Sequence, residues 1–273
     1  VSLHTLPFIK AHGTGNDFIV IPDLKGEISL DADDVRYLCD RHFGLGADGV
    51  IRITPMEPDS QTFFMDYRNA DGSLAEMCGN GARIFVAYLF REGLVNGPEV
   101  EFGTRAGMLR AHIYSASDIE IDMGVPSQGP EVNRVTVSQG GQLLPGASVH
   151  VPNPHAVVEV AELAGIGTLC ESPLWEPVDV FPEGVNVEFV EYLGPGHVRM
   201  RVWERGVGET LSCGTGACAV GLVSQARHPE DGSTWRVDVP GGTVFVRVGD
   251  DHHVYLRGPV TFVAEGLVEL ANE

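Results

Sequence analysis

Two segments hold the residue types best suited to chemistry: Met77-Cys78-Gly79-Asn80-Gly81-Ala82-Arg83 and Ser212-Cys213-Gly214-Thr215-Gly216-Ala217-Cys218. Each sets a cysteine before a Gly-x-Gly-Ala stretch, and each runs into an apolar stretch of helical character. A cysteine at a helix start lies beside unpaired backbone N–H groups and the positive end of the helix dipole. That surrounding is expected to favour the thiolate, the reactive form of the side chain. The small residues leave room for an anion such as a carboxylate to reach the same N–H groups. Two such segments in matching places predict a site built from a pair of thiols, Cys78 and Cys213.

The elements that must position these thiols come in two copies of one plan. Asn16 precedes Cys78 by 62 positions, and Asn153 precedes Cys213 by 60. Tyr67-Arg68-Asn69-Ala70-Asp71-Gly72 and Trp203-Glu204-Arg205-Gly206-Val207-Gly208 lie at nearly the same distance before their cysteines. Gly107 and Gly242 each follow by 29. Identity between the halves is low, so the spacing carries the repeat. Short β-branched runs at 18–21 and 156–160 read as strands, as do 63–67, 198–203, 100–102, 109–114, 119–123, 235–239, 244–248 and 253–256. Residues 33–42 read as a surface helix with an acidic start, and 82–91 and 217–227 as helices apolar on most of their surface, hence buried. The pattern predicts an α/β (α+β) fold of two pseudo-symmetric, barrel-like domains, each a curved β-sheet around a buried central helix. The expected domains are residues 1–117, carrying Cys78, and 118–273, carrying Cys213. The small polar stretch at 115–118 marks the boundary.

Length and composition bound the function. The 273 residues suffice for two medium domains. A net charge of −20, from 38 acids against 18 Lys and Arg, argues against nucleic acid or an anionic membrane as partner. No apolar run approaches the roughly 18–20 residues that span a bilayer, and residues 1–10 give no expectation of a secretory signal. Five widely spaced cysteines do not form a disulfide framework and point to a reducing compartment. Cys213 and Cys218 have no His or Cys cluster around them, so no metal site is expected. Cys39 and Cys170 read as small core residues. The glycine-rich 44–49 loop lacks the Lys-Ser/Thr of a nucleotide loop and is expected to be structural or to line a cleft.

The chain resembles the diaminopimelate epimerase family over nearly its whole length. The resemblance runs through Gly13-Thr14-Gly15-Asn16-Asp17-Phe18, Gly44-Leu45-Gly46-Ala47-Asp48-Gly49, Tyr67-Arg68-Asn69-Ala70-Asp71-Gly72-Ser73, the Cys78 segment, Asn153-Pro154-His155, Gly184-Val185-Asn186-Val187, Trp203-Glu204-Arg205-Gly206 and Cys213-Gly214-Thr215-Gly216. It implies epimerisation of LL-2,6-diaminopimelate to meso-diaminopimelate with no cofactor, in a cleft between the two domains, within lysine and peptidoglycan precursor synthesis. It also implies a cytoplasmic homodimer, and a last strand within 261–273 that returns to the first domain.

Inverting an α-carbon needs a base on one face and an acid on the other, and these swap roles in the reverse direction. Cys78 and Cys213 are the expected pair. The N–H groups of Gly79, Asn80, Gly214 and Thr215 would converge on the reacting carboxylate and stabilise the charge that develops there. The resemblance assigns His155 and Glu204 to tuning the cysteines or holding the substrate amine. From spacing alone, His155 is a core or capping residue and Glu204 an ion-pair partner of Arg205. Arg205 suits bidentate capture of the distal carboxylate, and Asn16, Asn69, Asn153 and Asn186 supply neutral amide contacts.

Three other functions fit less of the sequence. Proline racemases pair cysteines but carry His after the first Cys-Gly, where this chain has Asn80. A thiol redox protein leaves the four asparagines and Arg205 without a role, and a non-catalytic amino-acid-binding protein would not need two thiols.

Overall fold

The structure, a computed structural model, describes residues 3–57 and 60–271. Contacts divide the chain into two compact units. The first combines Val1–Ile121 with Pro259–Glu273, and the second is Asp122–Gly258.

The first unit contains strands β1 (Leu3–Gly13) and β2 (Asn16–Pro22), helix α1 (Ala32–Cys39), strands β3 (Gly49–Pro55) and β4 (Phe63–Asn69), helix α2 (Gly79–Arg91), and strands β5 (Glu99–Thr104), β6 (Gly107–Ser115) and β7 (Asp118–Asp122). The second contains β8 (Gln128–Gln139), β9 (Gln142–His150), β10 (Pro154–Val160), β11 (Leu174–Glu176), β12 (Asn186–Gly194), β13 (His197–Glu204) and β14 (Gly208–Thr210), helix α3 (Gly214–Arg227), and β15 (Thr234–Val239), β16 (Gly242–Val248) and β17 (Val254–Pro259). A final strand, β18 (Thr261–Ala271), pairs antiparallel with β1 in the first unit. Residues 272 and 273 of the expected returning segment lie outside the described residues.

Each unit repeats one series of strand pairings. In the first the series β18–β1–β2–β3–β4–β5–β6–β7 reads antiparallel, antiparallel, parallel, antiparallel, parallel, antiparallel, antiparallel. In the second, β8–β9–β10–β12–β13–β15–β16–β17 reads the same. The C-terminal strand thus takes in the first unit the seat that β8 takes in the second. Both parallel steps need a crossover, and the second crossover of each unit carries the central helix. That helix touches strands throughout its own sheet: α2 packs on β1, β2, β3, β4 and β6, and α3 on β8, β9, β10, β12, β13, β15 and β16. Every residue of α2 from Gly79 to Leu89 is buried, which only a helix enclosed by its sheet achieves. These are two barrel-like α/β units, each wrapped around one helix.

Local chemistry explains the edges. Asp31 caps α1 by accepting from the N–H groups of Asp33 and Asp34, while the Asp34 carboxylate accepts from the Asp31 N–H. Gly107 (φ 113°) and Gly242 (φ 146°) close the equivalent β5–β6 and β15–β16 hairpins in backbone that L side chains disfavour. Residues 115–118 are the turn of the β6–β7 hairpin, where Ser115 pairs with Asp118.

Candidate active site

Both cysteines sit one residue before a helix, as N-caps with extended backbone: Cys78 on α2 (φ −141°, ψ 122°) and Cys213 on α3 (φ −116°, ψ 115°). The helices begin at Gly79 and Gly214, three residues earlier than the apolar periodicity alone places them, because the Gly-x-Gly turns are themselves the first helical turn.

In the first unit, Cys78 is half-buried and its thiol donates to Asn16 Oδ1 at 3.7 Å. The same oxygen accepts from Asn80 Nδ2 at 3.1 Å. Asn80 Oδ1 in turn accepts from Arg83 Nη2 at 2.8 Å, and the Arg83 side chain is fully buried. The Asn16 amide is fixed from its other end, where Nδ2 donates to Asp48 at 2.8 Å. Asp48 belongs to a charged cluster in which Arg41 bridges Asp17 and Asp48, and Lys10 pairs with Asp17. The 44–49 loop supplies Asp48, and it has a structural reason for glycine: a Cβ on Gly44 would lie 1.8 Å from the Tyr37 carbonyl. Asn69 accepts from the Tyr67 hydroxyl at 2.8 Å and donates to Ser73 at 3.0 Å.

In the second unit, Cys213 is buried. Its sulfur accepts from the Gly216 N–H at 3.3 Å and lies 3.5 Å from the Thr215 hydroxyl. The Glu204 carboxylate, whose charge acts on this sulfur, accepts from the Thr210 hydroxyl. His155 is fully buried, with Nδ1 2.7 Å from Glu188 Oε1 and Nε2 3.0 Å from Asn153 Oδ1. Asn186 Oδ1 accepts from the Arg205 backbone N–H at 2.8 Å, and the exposed Arg205 guanidinium donates to the Glu183 carbonyl at 2.9 Å.

The expectation that a helix start favours the thiolate fails at Cys213. Burial pushes this thiol well above its ordinary range, and the charges of Glu204 and Glu188 push the same way. The Thr215 hydroxyl and Gly216 N–H oppose them without prevailing. Burial likewise raises the Glu204 carboxyl, with Glu188 adding to the rise. Desolvation and nearby carboxylates outweigh one turn of helix dipole. The Cys213 sulfur thus holds its proton more tightly than a free thiol.

Of the residues singled out from sequence, Asn16, Cys78 and Asn80 are joined directly in the first unit. Cys213 and Thr215 are joined in the second, with Gly214 between them and the Glu204 charge acting on the sulfur, and His155 is joined to Asn153 and Asn186 to Arg205. Gly79 supplies the first helical residue after Cys78. The reading of Glu204 as an ion-pair partner of Arg205 gives way to its bond with Thr210 and its charge effect on Cys213. Cys39 is buried, its thiol pushed up to about 12 by desolvation, whereas Cys170 is exposed and not a core residue. Leu169 takes the inward position at that point of the chain.

Four contributors escaped the sequence reading: Arg83, Asp48, Thr210 and Glu188. Only Glu188 carried a usable signal. It is an acid inside the run Val187-Glu188-Phe189-Val190, two residues after Asn186 and so on the same strand face.

A family model described as diaminopimelate epimerase matches residues 8–128 and 147–263. A diaminopimelate epimerase of Streptomyces coelicolor is 42% identical over 278 residues, covering 96% of this chain and 94% of the relative. Among solved structures, a phenazine biosynthesis protein of the PhzF family from Bacillus anthracis superposes with a TM-score of 0.72 at 16% identity, covering 97% of this chain and 99% of its own. A hydroxyproline epimerase from Agrobacterium vitis, with trans-4-hydroxy-L-proline bound, gives 0.67 at 15% identity, covering 98% and 93%. These two likenesses establish the fold.

Proposed function

The chain belongs to the diaminopimelate epimerase family, and on that premise we propose that it interconverts LL- and meso-diaminopimelate, with Cys78 and Cys213 as the two acid–base groups. The reaction inverts one α-carbon. A proton leaves one face and another arrives at the opposite face, so one sulfur must begin as thiolate and the other as thiol. The observation that carries this reading is the pair of cysteine N-caps, each heading the buried helix of one repeated unit.

The α-proton is a very weak acid, and with no pyridoxal to delocalise the carbanion the protein's own dipoles must stabilise it. The N–H groups of Gly79, Asn80, Gly214 and Thr215 serve this role by holding the reacting carboxylate. Glu204 receives or returns a proton beside Cys213, and His155 balances charge behind it. Asn16, Asn69, Asn153 and Asn186 orient the amine and carboxylate groups, and the Arg205 guanidinium grips the distal carboxylate in a bidentate manner. A place in lysine and peptidoglycan precursor synthesis, a homodimeric state and a cytoplasmic location belong to the same reading.

The test is α-proton exchange of LL-diaminopimelate in D₂O, followed by NMR under reducing conditions with no cofactor added. Incorporation of deuterium with appearance of the meso isomer is expected. Folded protein with free thiols that gives no exchange would reject the substrate. Cys78→Ala and Cys213→Ala should each lower epimerisation by roughly 10²–10⁴-fold, and near-normal turnover in either variant would remove that cysteine from the pair.

A further inference from the structure

Glu188 lies on β12, fully buried, in a position the fold can fill without charge. The strand registers show this. His155 faces Asn186 across β10–β12 as Phe18 faces Gly49 across β2–β3. Two residues on, Glu188 faces Val202 as Ile51 faces Tyr67. The pair His155 and Glu188 therefore occupies the seats that Phe18 and Ile51 hold in the first unit, where two apolar side chains pack under the helix start. Burying a carboxylate costs several kcal/mol unless it is paired, and the repeated fold shows that packing does not require one here.

Its surroundings point to a task. Oε1 lies 2.7 Å from His155 Nδ1, while Oε2 is buried with no hydrogen-bond partner among the described residues. A Cβ built on Gly216 would lie 2.7 Å from Glu188 Oε1 and 3.3 Å from Cys213 Sγ, so the absence of a side chain at Gly216 lets carboxylate and sulfur approach the same point of the first turn of α3. The ionisable groups around that point are Cys213 on α3, Glu204 at the end of β13 and His155 on β10, with His150 on β9 beyond, which feels the charge of His155.

We infer that Glu188 is a positioning residue that keeps the Cys213 sulfur protonated between turnovers, by holding its charge beside that sulfur and His155 on its far side. It touches no substrate; it fixes which of the two sulfurs of the proposed pair waits as the acid. This rests on the reading of Cys213 as an acid–base group, but its primary test needs no substrate.

Glu188→Gln keeps the shape and removes the charge. Thiolate formation at Cys213 is read by ultraviolet absorbance across pH, as the difference between Glu188→Gln and Glu188→Gln/Cys213→Ala, beside the matching pair with Glu188 intact. Removing the charge should lower the Cys213 midpoint by about one pH unit, and the pH profile of kcat should move the same way. Glu188→Asp, which withdraws the charge by one methylene, should give a smaller shift and stands in if Glu188→Gln does not fold. An unchanged midpoint in a folded charge-free or charge-withdrawn variant overturns the assignment. A shifted midpoint in protein that does not epimerise diaminopimelate upholds it and rejects the substrate instead.

Discussion

The two cysteine sites share a backbone plan and differ in what lies behind the sulfur. Seat for seat, Phe18, Ile51, Asn69 and Arg83 in the first unit correspond to His155, Glu188, Glu204 and Cys218 in the second. The first unit places apolar side chains and neutral amides around Cys78, with a buried guanidinium one turn along the helix, held by Asn80. The second places two carboxylates and a histidine around Cys213. Negative charge at the second sulfur is disfavoured by burial and by those carboxylates. A duplicated scaffold thus carries two unequal thiols. That inequality suits a reaction in which one thiol must hold its proton while the other takes one.

The sharpest way to break this comparison is to make the first seat resemble the second. Ile51→Glu would bury a carboxylate opposite Phe18, with no imidazole to pair it. It should destabilise the protein by about 3 kcal/mol or more, read as a fall in the urea midpoint at neutral pH. A cost below ~1 kcal/mol would mean that the two seats are not equivalent.

A smaller contrast lies in the third residue of each helix. Gly216→Ala drives a methyl into Glu188 Oε1 and to within 3.3 Å of Cys213 Sγ, and should cost about 2 kcal/mol together with part of the turnover. Gly81→Ala meets the tip of the Ile51 side chain at 3.0 Å, which can rotate away. The gain in helix propensity, about 1 kcal/mol, should leave that variant near neutral. Equal losses in the two variants would remove the tight approach at Gly216 as a distinction.

The smallest effect is a pH slope. Cys213 in the folded protein binds its proton more tightly than in the unfolded chain. Its contribution is therefore present below the unfolded thiol value of 9.0 and declines as pH rises above it, by up to about 1.4 kcal/mol per pH unit. Cys39, raised to about 12, adds a slope of the same sign. Denaturation midpoints measured on either side of pH 9 should fall less steeply in Cys213→Ser than in the parent. An unchanged slope would mean that Cys213 does not hold its proton more tightly on folding.

Much of the plan was legible because it depends on local signals. The Gly-x-Gly turns after each cysteine, the apolar length of 82–91 and 217–227, and the matched Gly107 and Gly242 follow from rules that act over a few residues. Strands such as β1, β3 and β12 escaped. β1 and β3 mix charged and apolar residues, and β12 places an acid inside an apolar run, so none shows a clean period of two. Cys170 was misread for the converse reason: apolar neighbours in sequence do not fix which way one side chain of an irregular segment turns.

The sequence by itself determined that the chain is a duplicated α/β protein with a cysteine at the head of each buried helix, because periodicity, glycine placement and residue spacing are encoded locally. Tertiary structure decided the state of the second thiol. Glu188 lies 25 residues before Cys213, and His155 lies 58 before it. Only the parallel pairing of β10 with β12, beneath α3, brings these groups into one buried neighbourhood. Desolvation and charge act through space, so a helix start that favours a thiolate in isolation holds a protonated thiol once the sheet has closed around it.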